Sequence, residues 1–481
     1  MVLLKTEDLT FSYPNCEVNS LKNVNIEINK GEFVLLMGRT GSGKSTLLKL
    51  FNKHIAPVGD CRGNITVNSN SMAYVSQNPE LTFVCESVRG ELAFALENKC
   101  MKNDEIALRL GEIASFFNLN DLLDEKIKNL SGGEKSTVAL AGAMIDNCDT
   151  LILDEPVSQL DTKASFDFIN LLKRVNSELG VTVIMASHIS DGIIDSADRL
   201  IVLDDGEVIF NDNPNNPNDD VLDLYPLSSR LFDSHPLTVK DAQRQEKRFK
   251  EKPVIKAEKT SRIAELKNIT FSYEKGGADI LDGLSFVAYE NKIHSIIGAN
   301  GSGKTTLLKV IAGIKKAYSG RVKINGKIAY MPQNPQYLFT KDTVLEEISL
   351  DTAKRFGLES LMTHHPYDLS GGQMQKLALA ILSEAEFDIL LLDEPTKALD
   401  TYSKNELKAY LRGLNKTVII VSHDLDFVGE ISDYVSFLSD GIIVISGERR
   451  EVLSGLNYYT TQLRRITRSY LNNAVSMEDV E

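Results

Sequence analysis

The chain lacks a long apolar run. Nothing in its 481 residues approaches the roughly 20 consecutive apolar residues that cross a bilayer, and the opening Met-Val-Leu-Leu-Lys-Thr-Glu has no apolar core of the kind a secretory signal carries. Both absences argue against a membrane-spanning or exported chain and lead us to expect one made and kept in the cytosol. Cysteine is scarce: the five residues Cys16, Cys61, Cys85, Cys100 and Cys148 are odd in number, scattered and never spaced as Cys-x-x-Cys. They read as unpaired thiols in a reducing compartment rather than as a disulfide framework or a metal site. Positive charge is the scarcer sign, 53 Lys and Arg against 67 Asp and Glu. The resulting net charge of −14 speaks against a general nucleic-acid binder. No low-complexity tract is present, and 42% hydrophobic with 25% charged residues is the balance of an ordinary globular protein long enough for two or three domains.

What is present is a glycine-rich loop, Gly38-Arg39-Thr40-Gly41-Ser42-Gly43-Lys44-Ser45-Thr46, after the apolar stretch 33–37 and before the helical pattern 47–51. Glycines here can take positive φ and bring backbone N–H groups against phosphate oxygens, and the following helix points its positive end at the same place. Lys44 is then placed to reach the β- and γ-phosphates, and the Ser45 hydroxyl to take one position on Mg²⁺. The loop occurs twice: Gly298-Ala299-Asn300-Gly301-Ser302-Gly303-Lys304-Thr305-Thr306 follows the strand pattern 293–297 and precedes a second helical pattern.

The duplication extends along the chain. Leu9-Thr10-Phe11-Ser12-Tyr13 recurs as Ile269-Thr270-Phe271-Ser272-Tyr273, and each half has a Gln-Asn-Pro (Gln77, Gln333), a Leu-Ser-Gly-Gly (Ser131, Ser370) and a Ser-His (His188, His423). From Gln77 to Ser131 is 54 residues and from Gln333 to Ser370 is 37, so the second copy is shortened there. In the first half, strands are expected at 23–28, 33–37, 65–67, 151–153, 181–186 and 200–203, with a mainly helical stretch over 88–117. Short, wholly apolar strands alternating with helices indicate a parallel sheet covered on both faces. We therefore expect an α/β chain of two tandem domains, residues 1–235 and 262–481, joined by a charged linker over 236–261 that runs as solvated helix or coil.

Leu151-Ile152-Leu153-Asp154-Glu155 and Leu390-Leu391-Leu392-Asp393-Glu394 are strands ending in paired carboxylates, and carboxyl ends of parallel strands face the ligand crevice. Asp154 and Asp393 are expected to hold Mg²⁺, directly or through water. Glu155 and Glu394 are expected to orient and polarise an attacking water. A Ser-Gly-Gly run opening a helix is a second anion-binding terminus on its own account, and otherwise a cap.

With Leu130-Ser131-Gly132-Gly133-Glu134 and Leu369-Ser370-Gly371-Gly372-Gln373 added to these motifs, each half resembles the P-loop nucleotide-binding domain of ATP-binding-cassette (ABC) proteins. That resemblance implies a mixed, mainly parallel sheet with a helical subdomain in each half, ATP and Mg²⁺ as cofactors, and an internal pseudo-dimer. In it the halves face head to tail and each Ser-Gly-Gly contacts the γ-phosphate held by the opposite cradle. It implies that Tyr13 and Tyr273 stack on adenine, that Gln77 and Gln333 sense Mg²⁺, and that His188 and His423 contact the γ-phosphate. Site one then combines Lys44, Gln77, Glu155 and His188 with Ser370, Gly371, Gly372 and Gln373. Site two combines Lys304, Gln333, Glu394 and His423 with Ser131, Gly132, Gly133 and Glu134. Ser158-Gln159-Leu160-Asp161 and Lys397-Ala398-Leu399-Asp400 match the loop that crosses the dimer. Two departures stand out: Glu134 replaces the usual glutamine, and Ser136-Thr137 replaces Gln-Arg. A carboxylate beside a triphosphate is unfavourable unless it pairs or points away, so site two is expected to be the slower of two hydrolytic sites.

Nearly the whole chain is similar to the fused tandem ATPases of energy-coupling-factor (ECF) vitamin importers. The similarity rests on Gln77-Asn78-Pro79-Glu80, Phe83 to Val88, Glu91-Leu92-Ala93-Phe94-Ala95-Leu96-Glu97-Asn98, Ser158 to Asp161, and Gln333-Asn334-Pro335 with Tyr337-Leu338-Phe339. It implies a peripheral place on the cytoplasmic face of the cell membrane. Its implied partners are a membrane-embedded transmembrane component and a substrate-binding membrane component, with no nucleic acid. The competing readings are the tandem ATPase of a sugar-type ABC importer and a soluble ABC-F ribosome-associated factor. The latter carries a long basic helical segment between its domains, whereas the stretch here is short and mixed in charge.

Overall fold

A computed structural model of the chain describes all residues except 15–17, 159, 255–259, 275 and 398, with the side chain of residue 162 also excepted. It divides into two units, Met1–Thr238 and Val239–Glu481.

In the first unit the strands are β1 (Val2–Ser12), β2 (Leu21–Asn29), β3 (Phe33–Gly38), β4 (Asp60–Val67), β5 (Met72–Val75), β6 (Thr150–Asp154), β7 (Thr182–Ala186), β8 (Arg199–Asp204) and β9 (Glu207–Asp212). A three-stranded antiparallel sheet has the order β2-β1-β4, and a six-stranded sheet the order β5-β6-β7-β3-β8-β9. The latter is parallel except for the antiparallel edge strand β9. Every residue of β3, β6 and β7 is buried, as a strand covered on both faces requires. Side-chain alternation splits β3 between two cores: Phe33, Leu35 and Met37 pack with Leu92, Val138 and Leu172 from the helices, while Val34 and Leu36 pack with Leu4, Ile26 and Leu47. Parallel pairing brings the carboxyl ends of β5, β6, β7 and β3 to one edge.

The second unit repeats the plan with β10 (Arg262–Phe271), β11 (Leu281–Tyr289), β12 (Ile293–Ile297), β13 (Ser319–Ile324), β14 (Ile328–Met331), β15 (Ile389–Asp393), β16 (Thr417–Val421), β17 (Tyr434–Ser439) and β18 (Ile442–Glu448). Its sheets run β11-β10-β13 and β14-β15-β16-β12-β17-β18. The fold is thus α/β with two tandem P-loop domains, each with a mixed, mainly parallel sheet. The helical stretch expected over 88–117 is two helices, Val88–Asn98 and Asn103–Phe116, with Cys100 at φ 54 in the break between them. The corresponding helices of the second unit, Val344–Glu347 and Leu350–Phe356, are shorter.

The charged stretch expected as a linker over 236–261 is placed differently. Residues 239–252 belong to the second unit, where the short helix Val239–Gln243 packs on Gln462–Thr467 and buries Ala242. Gln243 Nε2 donates to the Arg465 carbonyl at 2.7 Å, and Glu251 pairs with Arg450 at 2.9 Å. Charges that looked solvated in the sequence have partners about 200 residues further on. Of the expected linker, 255–259 lie outside the described residues.

Candidate functional site

Each cradle begins where a central strand ends. Gly38 closes β3 at φ 145, and a Cβ there would sit 2.1 Å from the Leu203 carbonyl oxygen. Gly298, after β12, is the same case against Leu438 at 2.1 Å. Only glycine lets these loops turn so close to the neighbouring strand. Arg39, Thr40, Gly41, Ser42 and Gly43 continue the first loop into helix Lys44–Leu50, and Ala299, Asn300, Gly301, Ser302 and Gly303 continue the second into Lys304–Ile311. The buried Lys44 ammonium donates to the carbonyls of Gly38 (2.9 Å) and Arg39 (3.0 Å), and that of Lys304 to Gly298 and Ala299 (both 2.9 Å). These bonds bend the lysine over its own loop, where its charge faces whatever the loop holds. At the base of each cradle a hydroxyl, Ser42 Oγ and Ser302 Oγ, is buried with no hydrogen-bond partner. An unpaired buried hydroxyl is costly, and a phosphate oxygen is the acceptor it fits.

The two acidic strands end against these loops. Asp154 Oδ1 accepts from Ser45 Oγ at 2.9 Å and Oδ2 from the Tyr74 hydroxyl at 3.0 Å. Asp393 accepts likewise from Thr305 (3.1 Å) and Tyr330 (3.4 Å). Burial pushes both carboxyls up, that of Asp393 to about 6, with the adjacent Glu155 and Glu394 adding to the rise against the hydroxyl bonds. A buried carboxylate beside a hydroxyl is a set of hard oxygen donors, and a divalent cation would offset the cost of ionising it. The residues therefore fit Mg²⁺, with Ser45 and Asp154, or Thr305 and Asp393, as the holders.

Glu155 and Glu394 follow at φ 52, a left-handed conformation rare outside glycine. Each is held there because its N–H donates to the end of the next strand, Ala186 O at 3.0 Å and Val421 O at 2.9 Å. Strain of this kind costs about 1–3 kcal/mol and persists where the surroundings fix it. The twist turns each carboxylate onto a histidine: Glu155 Oε2 lies 2.7 Å from His188 Nδ1, and Glu394 Oε2 2.7 Å from His423 Nδ1. Burial works against ionisation of Glu155, but His188 and then Lys44 outweigh it and hold the carboxyl below its usual range. Burial likewise opposes the charged form of His423, yet Glu394 and Asp424 prevail and raise it. An ionised carboxylate is thus oriented at the cradle's edge, where it could hold and polarise a water.

Gln77 and Gln333 each stand two residues past a strand, β5 or β14, at the same edge. Gln77 Nε2 reaches Ser158 Oγ at 3.5 Å. Tyr13 and Tyr273 bond through their hydroxyls to Thr46 and Thr306 (3.1 Å each), with rings set edge-on against Phe11 and Phe271 at 5.1 Å and partly exposed. Ser131 and Ser370 cap the helices Gly132–Met144 and Gly371–Glu384 in capping boxes. Gly132, Gly133, Gly371 and Gly372 form the first turns. The Glu134 carboxylate is folded back onto Ser131, accepting from its N–H and its hydroxyl at 2.7 Å each, and the Gln373 amide oxygen accepts from the Ser370 N–H at 2.9 Å. Asp161 and Asp400 cap helices Thr162–Leu179 and Thr401–Gly413, while Gln159 and Ala398 lie outside the described residues. Sequence reasoning missed Tyr74 and Tyr330, although both stand three residues before the loop glutamine in their repeats.

The comparisons agree with this geometry. The family described as ABC transporter matches residues 21–158 and 281–397. A Bacillus anthracis protein named as an ABC transporter ATP-binding protein is 34% identical over 98% of this chain and 97% of its own length. A Methanosarcina mazei protein of the same description is 29% identical over 94% and 90%. Among solved structures, an archaeal ribosome recycling factor, aABCE1, in complex with the ribosomal stalk protein aP1 has a TM-score of 0.64 at 21% identity, covering 93% of this chain and 91% of its own. That likeness concerns the fold. The chain belongs to the ABC transporter family, as an ABC ATPase with two tandem ATP-binding domains.

Proposed function

We propose that the chain is the ATP-hydrolysing subunit of an ECF-type importer of a vitamin or other micronutrient, peripheral on the cytoplasmic face of the membrane. The observation that carries the enzymatic part is the duplicated Glu–His pair: both units hold a glutamate at φ 52 with its carboxylate 2.7 Å from a histidine. Both sites are therefore equipped for hydrolysis. Lys44 and Lys304 bind the phosphates, with the loop amides of 38–46 and 298–306. Ser45, Asp154 and Gln77 in one site, and Thr305, Asp393 and Gln333 in the other, would hold Mg²⁺, which would supply positive charge to offset that of the phosphates. Glu155 and Glu394 accept the proton of the attacking water, while His188 and His423 address the γ-phosphate. Tyr13 and Tyr273 carry the adenine. Nucleotide binding and hydrolysis then do work on helices of a transmembrane component.

Replacement of the glutamate keeps nucleotide binding and removes turnover. Glu155→Gln with Glu394→Gln should bind ATP as the parent does and hydrolyse it ~10²–10⁴-fold more slowly. Wild-type phosphate release by the double variant would refute the assignment.

The names of the relatives support a part in transport, and the importer reading rests on the Glu91 to Asn98 pattern, which lies on helix Val88–Asn98 between the loop glutamine and the Ser-Gly-Gly cap. Among the described residues no helix is long and apolar enough to cross a membrane, so the membrane work needs partners. Purification from detergent extract should bring down a transmembrane component and a small substrate-binding membrane protein. Sedimentation with ribosomes and no membrane partner would favour the ABC-F reading instead.

A further inference from the structure

One side chain in each unit touches the metal aspartate without being a ligand or a cradle residue. The Tyr74 hydroxyl donates to Asp154 Oδ2 at 3.0 Å, and that of Tyr330 to Asp393 Oδ2 at 3.4 Å. In both units the other oxygen, Oδ1, accepts from the cradle hydroxyl, Ser45 at 2.9 Å or Thr305 at 3.1 Å. The placement follows from the sheet: β5 pairs in parallel with β6 and sets Tyr74 beside Ile152, and β14 pairs with β15 and sets Tyr330 beside Leu391. Each ring thus starts two positions short of its aspartate and reaches along the strand to it. A phenylalanine would fill the same half-buried space. Only the hydroxyl makes this contact, and it does so in both repeats.

We propose that Tyr74 and Tyr330 are positioning residues for the divalent cation: each locks the rotation of its aspartate so that Oδ1 and the Ser45 or Thr305 hydroxyl stay together, aimed at the metal. The carboxylate torsion of aspartate is broad and roughly two-fold, so a single hydrogen bond leaves the group free to rock. Bonds to both oxygens, one from strand β5 or β14 and one from the helix that follows the cradle, remove that freedom. The phenol is neutral and donates only to the outer oxygen, which leaves the carboxylate charge available on the metal side. Outer-shell partners of this sort typically change metal affinity by about 10–100-fold. The shorter bond in the first unit places the larger effect there. The inference rests on the reading of Asp154 and Asp393 as metal holders.

The test uses the full chain carrying Glu155→Gln and Glu394→Gln, with the opposite cradle lysine changed to alanine so that one site is read at a time. The midpoint of the MgCl₂ titration of the ATP-dependent rise in Tm is measured, and Mn²⁺ binding in the presence of ATP is followed by electron paramagnetic resonance as an independent readout. Tyr74→Phe should raise the magnesium midpoint at least about tenfold and Tyr330→Phe less, with ATP affinity in EDTA unchanged. Tyr74→His, which keeps a donor, should recover part of the loss. Asp154→Asn separates the two readings. If it leaves the midpoint where it was, the metal assignment fails; if it moves the midpoint and Tyr74→Phe does not, the tyrosine proposal alone fails. A fall in the nucleotide-free Tm of Tyr74→Phe with an unmoved midpoint would make the tyrosine a structural residue and overturn the proposal.

Discussion

Glu134 shows why a single residue has to be placed before its charge is weighed. By composition it adds a negative charge to a phosphate-binding turn, the basis for expecting a slower second site. Its carboxylate is instead folded onto the Ser131 N–H and hydroxyl, the position that the Gln373 amide oxygen takes against the Ser370 N–H. Both side chains close a capping box, in which the third helical residue reaches back to the cap. Glu134→Gln should therefore change turnover at the second site less than twofold, and steady-state hydrolysis with Lys44→Ala in the background would read that site alone. Removing the cap is different in kind. Ser131→Ala leaves the Glu134 N–H, in the first turn of Gly132–Met144, without its acceptor and should cost about 1 kcal/mol, typically within 0.5–2. In a unit of this size that is a fall of about 2–4 °C in Tm. An unchanged Tm for Ser131→Ala would mean that the cap contributes nothing to folding.

Among the elements, those legible in the sequence were the ones whose cause is local. A strand buried on both faces reads as an unbroken apolar run, so β3, β6 and β7 could be seen directly, with the glycine loop at the end of β3 and the Asp-Glu pair at the end of β6. The Glu–His pair could not be seen, because it depends on a positive φ at Glu155 and Glu394 that side-chain pattern does not encode. Nor could the stretch 239–252, whose partners are remote. There Arg449 pairs with Asp479 at 2.6 Å, and Arg450 with Glu251 at 2.9 Å, in a nearly buried network that ties this stretch to the last residues of the chain. Breaking a buried pair costs more than the pair contributes, since the partner is left charged and unsolvated. Asp479→Ala should thus lower stability by about 3–5 kcal/mol and expose residues 239–252 to fast amide exchange. Arg449→Met in the same chain, which removes the charge left without its carboxylate, should recover part of that loss. Exchange at 239–252 unchanged by Asp479→Ala would show that the network does not hold the stretch.

Across the whole molecule the duplicated fold makes one unit the control for the other, and the substitutions between them are informative. The second residue of β3 is Val34, paired with Arg199, whereas the second residue of β12 is His294, paired with Tyr434. His294 is 2% exposed, stacked against Tyr434 at 5.1 Å and Tyr289 at 5.8 Å, and its Nε2 accepts from the Tyr289 N–H at 2.8 Å. Burial drives its pKa down to about 4 from the ordinary 6.5, with the nearby Lys292 pushing the same way. Since the folded value lies below the unfolded one, the unfolded chain binds the extra proton between these limits. Stability from this group is then complete above pH 6.5 and is lost as the pH falls towards 4. One proton gives a slope of about 1.4 kcal/mol per pH unit and a total near 3 kcal/mol. The first unit has valine in this place and no such contribution. The second unit should therefore melt ahead of the first as the pH is lowered through 6 to 4, read by amide exchange on peptides of β12 and of β3 in the same sample. His294→Val, the first unit's own residue, should flatten the slope of the second unit whatever it does to its stability at pH 7. Retention of the full acid slope in that variant would assign the effect to other groups.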